Sequence, residues 1–402
     1  MCIRDRAGAG QSSGSTTLNP LPQRNFSNPL ATTPGVQVSI AHAEHPNLAF
    51  QNLPQPTGAQ PYHLSLEQVL PGHHIEAIHQ AGKLVFHATG DTGGIKSPQF
   101  QQAVADLMVN DCRKTDLASR PAFFYHLGDV VYFFGEGREY YSQLYDPYQL
   151  YPAPIFAIPG NHDAEVFDER DHSLSSFVTN FCAQTPEITR NAGDTYRHAM
   201  TQPNVYWTLE APFVTIIGLY TNVPEGGRLD DAQITWFASE LTSAPTEKAL
   251  IVAMHHSCYS ADLYHSGSQY MVQQLEQAMQ SSGRVPDAVL SGHVHNYQRF
   301  TRPINGRDVP FIVAGAGGFW KQSSMQKDAQ GNPLPIPYQF ADLGVTLASY
   351  RDDRYGYLLI EVTPQTLKGQ YFATSGQPAV PTTADQPVDT FTLDLTTHKL
   401  IG

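Results

Sequence analysis

The chain has 402 residues, 41% of them hydrophobic and 15% charged, with a net charge of −13. That length and balance support one large or two ordinary globular domains with a real core. The acidic charge and the lack of a basic stripe argue against a nucleic-acid backbone as the main partner, and no run of about 18 apolar residues is present to span a membrane.

Residues 1–60 are rich in Gly, Ser, Thr, Pro, Asn and Gln without periodicity. We expect a disordered or peripheral segment there. It shows no signal peptide with an apolar core, but its opening, MCIRDR, resembles translated adapter sequence; the true start is then missing, and the lack of a signal peptide carries little meaning. Residues 61–82 read as a helical lead-in, with a helix over 66–80 interrupted near Pro71 and with His73, His74 and His79 on its surface. The main domain is expected over 83–402.

From Lys83 onward, short apolar, β-branched or aromatic runs stop at residues of metal-binding type. They are KLVFHATGD at Asp91, PAFFYHLGD at Asp129, APIFAIPGNHD at Asn161 and His162, KALIVAMHH at His255, and PDAVLSGHVH at His293 and His295. Such runs, bounded by Gly or Pro, read as buried strands. In open α/β sheets, ligands sit beyond the carboxyl ends of the strands, so these side chains can converge on one site. A helix is expected near 99–109, another over LDDAQITWFASELTSA with Asp230 or Asp231 near its N-cap, and another over QYMVQQLEQAMQSS. The stretch after GNHD through Met200 is polar and without a clear element. NVYWTLEA and FVTIIGLYT alternate as strands of a second sheet, FIVAGAGG reads as a strand closed by a tight turn, and 320–350 as an irregular insertion. YGYLLIEVTP, TLKGQYFAT and DTFTLDL close the chain as antiparallel strands. The order predicts two mixed sheets packed face to face with helices outside, a four-layer α/β/β/α sandwich.

Several residues have plainer readings. His87 and His126 lie within strands and read as satisfied core histidines, and His256 points away from His255 because strand neighbours alternate faces. Asp163 orients His162 or caps the turn. The four cysteines form no CxxC pair, so neither a disulfide framework nor a thiolate zinc site is expected.

The five blocks GDTG (Gly90–Gly93), GDVVY (Gly128–Tyr132), GNHD (Gly160–Asp163), His255 and GHVH (Gly292–His295) resemble, in family order, the calcineurin-like metallophosphoesterases, and within them the purple acid phosphatases of the short, single-domain type. The wider superfamily carries His at the third position of the first block. Here Gly93 stands there and cannot ligate, while Tyr132 can, and a phenolate favours a trivalent ion such as Fe(III). The resemblance implies iron held by Asp91, Asp129, Tyr132 and His295. It implies a second, divalent ion (Zn, Fe or Mn) held by Asp129, Asn161, His255 and His293, with Asp129 bridging.

It further implies hydrolysis of small phosphate monoesters by a metal-bound hydroxide, with His162 and His265 as catalytic histidines at the phosphate. A phosphodiesterase or nucleotide pyrophosphatase on the same site is the alternative, and a non-catalytic metal-binding protein a more distant one. The family's habit and the acidic charge imply export from the cytoplasm. Oligomeric state is not legible.

Overall fold

A computed structural model describes residues 50–166, 172–374 and 386–401. Of the segment expected to be disordered or peripheral, 1–49 lie outside the described residues, as does Cys2. Residues 50–60 form no regular element and lie against the body of the protein. Thr57 and Gly58 donate their N–H groups to the Pro203 carbonyl, and Gln51 donates to Asn222 Oδ1 at 2.8 Å.

In chain order the elements begin with β1 (His63–Ser65), α1 (Gly72–Ala81), β2 (Leu84–Thr89), α2 (Pro98–Asp111), β3 (Phe124–His126), β4 (Ile155–Ala157), α3 (Asn161–Ala164) and α4 (Ser175–Phe181). Then come β5 (Trp207–Ala211), β6 (Val214–Gly218), α5 (Asp231–Ser243), β7 (Ala249–Met254), α6 (Gln269–Ser282) and β8 (Ala288–Ser291). The chain closes through β9 (Tyr297–Ile304), β10 (Arg307–Ala314), β11 (Tyr338–Phe340), β12 (Val345–Arg351), β13 (Gly356–Val362), β14 (Thr366–Ala373), β15 (Asp389–Asp394) and β16 (Lys399–Ile401).

These strands form two sheets. One runs β1-β5-β6-β7-β8-β10-β9-β12-β11, the other β16-β15-β14-β13-β2-β3-β4. Both are mixed: β2, β3 and β4 are mutually parallel, as are β6, β7, β8 and β10 and the edge pair β1 and β5, while the remaining neighbours pair antiparallel. Strands β2, β7 and β8 are buried along their whole length, as expected of parallel strands covered on both faces. The expected α/β sandwich is thus observed.

The two sheets meet through large side chains. Trp207 of β5 is fully buried, stacks on Tyr125 of β3 at 6.0 Å and lies against Phe156 of β4 at 5.5 Å. Its indole N–H donates to the Ala157 carbonyl across the interface at 3.2 Å. Near the site the sheets are laced by backbone: Gly90 N–H donates to Ala314, and Gly317 N–H donates to Gly90.

Helices form where capping and periodicity place them. Asp230 caps α5 by accepting from Gln233 N–H, and Ser268 caps α6 by accepting from Met271 N–H. The expected irregular insertion over 320–350 is only partly irregular: β11 and β12 lie within it, and β12 adds to the first sheet beside β9. Sequence reasoning also left out the β9 strand, and it passed over α4 in the polar stretch after GNHD. Among the described residues, no helix is long and apolar enough to cross a membrane, and Cys112, Cys182 and Cys258 are buried free thiols.

Candidate metal centre

The five motif-bearing strand ends are β2, β3 and β4 of one sheet and β7 and β8 of the other. At each, the chain leaves the strand and turns within a few residues, which aims a polar side chain back across the sheet edge. Asp91, Asp129 and His293 make these turns with left-handed backbones, φ 56, 54 and 68. That region is uncommon for residues other than Gly, though Asp and His are enriched in it. Such conformations cost on the order of 1–3 kcal/mol and persist where neighbours over-determine them. Here they do: Asp91 N–H donates to Gly128 at 2.9 Å, His293 N–H donates to Asp91 Oδ2 at 2.9 Å, and His162 N–H donates to Asp129 Oδ1 at 3.0 Å. Gly292 permits the crossing of the two sheets, since a Cβ there would stand 2.6 Å from Asp91 Oδ2.

The converging donors form two groups. In the first, Tyr132 Oη lies 3.4 Å from Asp91 Oδ1 and 3.5 Å from His295 Nε2, and His295 Nε2 lies 3.5 Å from Asp91 Oδ1. In the second, Asn161 Oδ1 lies 3.1 Å from both His255 Nε2 and His293 Nδ1, and His255 Nε2 lies 3.3 Å from Asp129 Oδ1. Asp91, Asp129 and His255 also offer ligand atoms within 4.8 Å of one another, which ties the two groups together. All seven residues expected as ligands are therefore brought together.

The outer nitrogen of each imidazole is spoken for. His255 Nδ1 meets the Leu127 carbonyl at 2.8 Å, His295 Nδ1 meets the Lys321 carbonyl at 3.2 Å, and His293 Nε2 faces Glu225 at 3.5 Å. Carbonyls and carboxylates only accept, so these nitrogens carry the protons and the inner nitrogens present lone pairs. Inside each group, lone pairs then confront carboxylate and amide oxygens. A cation at each centre turns that repulsion into coordination, and the oxygen- and imidazole-rich donor set suits hard or borderline ions.

The titration behaviour points the same way. Burial, with the Asp129 charge adding to it, pushes Asp91 well above the usual carboxylate range, whereas against burial His255 and His162 hold Asp129 well below it. Against burial again, the Asp129 charge and hydrogen bond raise His255 to about 9. Burial and the neighbouring imidazoles instead lower His293 and His295, so of these three histidines only His255 is shifted toward its charged form.

Gly93 and Tyr132 are sterically matched. A Cβ on Gly93 would collide with Gln143 Oε1 and come within 2.6 Å of the Tyr132 ring. Gln143 in turn accepts from Tyr132 N–H at 2.9 Å and donates to its carbonyl at 3.1 Å. Burial, with Asp129 and Asp91 beside it, pushes the Tyr132 phenol well above its ordinary value.

Residues 84–297 match the sequence model of the family described as Calcineurin-like phosphoesterase. The chain belongs to the calcineurin-like phosphoesterase family. Among its curated relatives, purple acid phosphatase 21 of Arabidopsis thaliana is 24% identical over 248 residues, covering 57% of this chain and 53% of that protein. Purple acid phosphatase 18 of the same plant is 31% identical over 267 residues, covering 60% and 56%. The chain spans about half the length of the curated relatives it matches. A solved purple acid phosphatase, PPD1 from yellow lupin (Lupinus luteus) seeds, shares the fold with a TM-score of 0.54 at 16% identity, covering 78% of this chain and 54% of that one.

The remaining residues of this calcineurin-like phosphoesterase fall around the two groups. His162 sits beside Tyr132, ring centroids 4.7 Å apart, with Nδ1 3.1 Å from the Phe133 carbonyl. His265 lies against His293 at 4.9 Å and His295 at 5.8 Å, between centroids. Asp163 binds no inner donor. Its carboxylate accepts from the N–H groups of Gly160, Val130 and Val131, so it caps the turn. His87 pairs with Tyr151 and Asp111, and His126 with Thr92, as core histidines. His256 Nδ1 pairs with Thr221 Oγ1 at 2.8 Å, outside both groups.

Two acidic residues escaped sequence reasoning. Glu165 accepts from Asn161 Nδ2 at 3.1 Å and so sets which way the Asn161 amide faces. Glu225 faces His293 and His265. Glu165 follows the GNHD block at helical spacing and could have been flagged on that ground. Glu225 carries no such signal.

Proposed function

We propose that this family member is a two-metal phosphoesterase that hydrolyses phosphate monoesters. The observation that carries the reading is the pair of adjacent donor groups, with ligand atoms of Asp91, Asp129 and His255 within 4.8 Å of one another between them. Asp91, Asp129, Tyr132 and His295 would hold the first ion, for which the phenol favours Fe(III). Asp129, Asn161, His255 and His293 would hold a divalent one, Zn, Fe or Mn. Ions there supply Lewis acidity toward the phosphoryl oxygens and lower the pKa of water.

The chain's own residues do the rest. His162 Nδ1 is tied to the Phe133 carbonyl, so Nε2 is the atom that passes a proton to the departing alkoxide. His265, raised above its ordinary value by the Glu225 carboxylate against the effect of burial, offers positive charge to the phosphate. Phe319 covers Tyr132 and His295, 4.3 Å from each ring centroid, and keeps bulk water from the first group.

Metal analysis combined with hydrolysis of aryl phosphate mono- and diesters tests the reading. We expect two ions per chain and faster monoester turnover. No turnover with two ions bound would remove the enzyme from consideration, and a preference for diesters would reassign it as a diesterase. In His162→Ala, kcat on an alkyl phosphate should fall by roughly 10²–10⁴, and on nitrophenyl phosphate, whose leaving group needs no proton, by far less. Equal losses on both would contradict the acid role. Export from the cytoplasm belongs to the same proposal and is checked by fractionating the native host.

A further inference from the structure

The geometry points to Glu225 as a positioning residue that fixes both the divalent-ion ligand His293 and the pocket histidine His265. The inference rests on the metal reading above. His255 and His295 rest their outer nitrogens on backbone carbonyls, Leu127 and Lys321. His293 instead faces a side chain: Glu225 Oε1 is 3.5 Å from its Nε2. The same oxygen is 3.8 Å from His265 Nδ1. One carboxylate thus addresses two imidazoles whose rings meet edge-on, with centroids 4.9 Å apart.

Glu225 is held in place by its own loop. Arg228 N–H donates to the Thr221 carbonyl at 2.7 Å and Gly227 N–H to Pro224 at 2.8 Å, closing residues 221–228 into a compact turn. Gly226 and Gly227 have φ 82 and 73. A Cβ on Gly227 would stand 2.9 Å from the His256 ring, which itself lies 4.3 Å from His293. The loop is therefore pressed against the back of the metal-ligand layer, and its tip delivers the carboxylate. A carboxylate behind a ligating imidazole fixes the tautomer and ring orientation and makes the inner nitrogen a better donor. Removing such partners commonly weakens metal binding 10–100-fold. Because Glu225 also meets His265, the ion and the phosphate-facing histidine lose their shared reference together.

The test compares wild type with Glu225→Ala and Glu225→Gln. Metal affinity is read by chelator competition and metal content, alongside kcat and KM for an aryl phosphate. In Glu225→Ala we expect affinity for one ion to fall about 10–100-fold, content to drop toward one ion per chain, and the ion held with Tyr132 to be retained. KM should rise as well, and adding His265→Ala should raise it little further. Glu225→Gln keeps an oxygen acceptor on a side chain of the same length and should recover most of the affinity. Unchanged binding of both ions in Glu225→Ala, equal loss of both, or a Gln variant as impaired as Ala would each overturn the assignment. Wild-type protein that binds no metal would instead overturn the proposed function, so the two failures are distinct.

Discussion

Tyr132 occupies the volume that a side chain at position 93 would need, so the two positions are one decision. Tyr132→Phe keeps the ring's contacts with His162 and Phe319 and removes only the hydroxyl. Removing one buried hydroxyl should cost stability only about 1 kcal/mol, while a visible tyrosinate-to-iron absorption present in wild type should vanish. A colourless wild-type protein with full activity on zinc alone would refute the iron assignment. Restoring a side chain at 93 while Tyr132 remains overpacks a buried site, at a cost of roughly 1–3 kcal/mol. The absence of a ligand at Gly93 was legible in the sequence, but its cause was not. Which ring fills the vacant space depends on the turn after Asp129, which no local pattern specifies.

Elements carry the site because strand and ligand are adjacent in sequence. A buried strand, a Gly and a polar residue within a few positions leave few places for that side chain to go, which is why Asp91, Asp129, Asn161, His255, His293 and His295 could be expected to converge before the fold, whereas Tyr132 was reached only through the family resemblance. Glu225 could not: it sits in a Pro- and Gly-flanked loop and reaches His293 only once β6 has paired with β7. Strands β9, β11 and β12 were obscured because they stand toward one edge of their sheet, partly exposed, with a diluted apolar alternation.

The loop bearing His265 shows another element-scale dependence. Buried Asp262 accepts from Tyr264 and His265 N–H, each at 2.7 Å, and from Asn296 Nδ2 at 3.1 Å, which pins this loop to the segment after GHVH. Burial raises its carboxyl from 3.8 to about 6, although His265 and the backbone donors oppose the shift. The folded protein then holds this proton more tightly than the unfolded chain, so the contribution is present in full below 3.8 and is lost as pH rises through about 6. Denaturant titrations between pH 4 and 7 should show wild type gaining up to about 3 kcal/mol on Asp262→Asn toward the acid end. A constant difference across that range would contradict the assignment.

At the scale of the whole molecule, the centre exists only where two sheets abut. Trp207 is the side chain that most directly fixes their approach, through Tyr125, Phe156 and the Ala157 carbonyl. Trp207→Ala should cost about 3–5 kcal/mol and loosen metal retention, although no atom of Trp207 belongs to either donor group. Equilibrium unfolding and metal content measured on the same preparation would show whether the two losses travel together.

The hydrogen bond from His293 to Asp91 spans 202 residues of chain, and the donor groups straddle the same divide. Ligands from β2, β3 and β4 come from the first part of the chain, and those from β7 and β8 from a later part. An ion shared between them, as proposed, would act as a reversible clasp that the unfolded chain has no means of closing. By mass action, ligand at 1,000 times its dissociation constant stabilises the folded state by about 4 kcal/mol. Exhaustive chelation should therefore lower the melting temperature as well as abolish turnover, and readdition of metal should restore both. The clasp also gives proteases a schedule: with ions bound, cleavage should be confined to exposed loop tips, and after chelation the connection between the two ligand-bearing parts of the chain should be cut first.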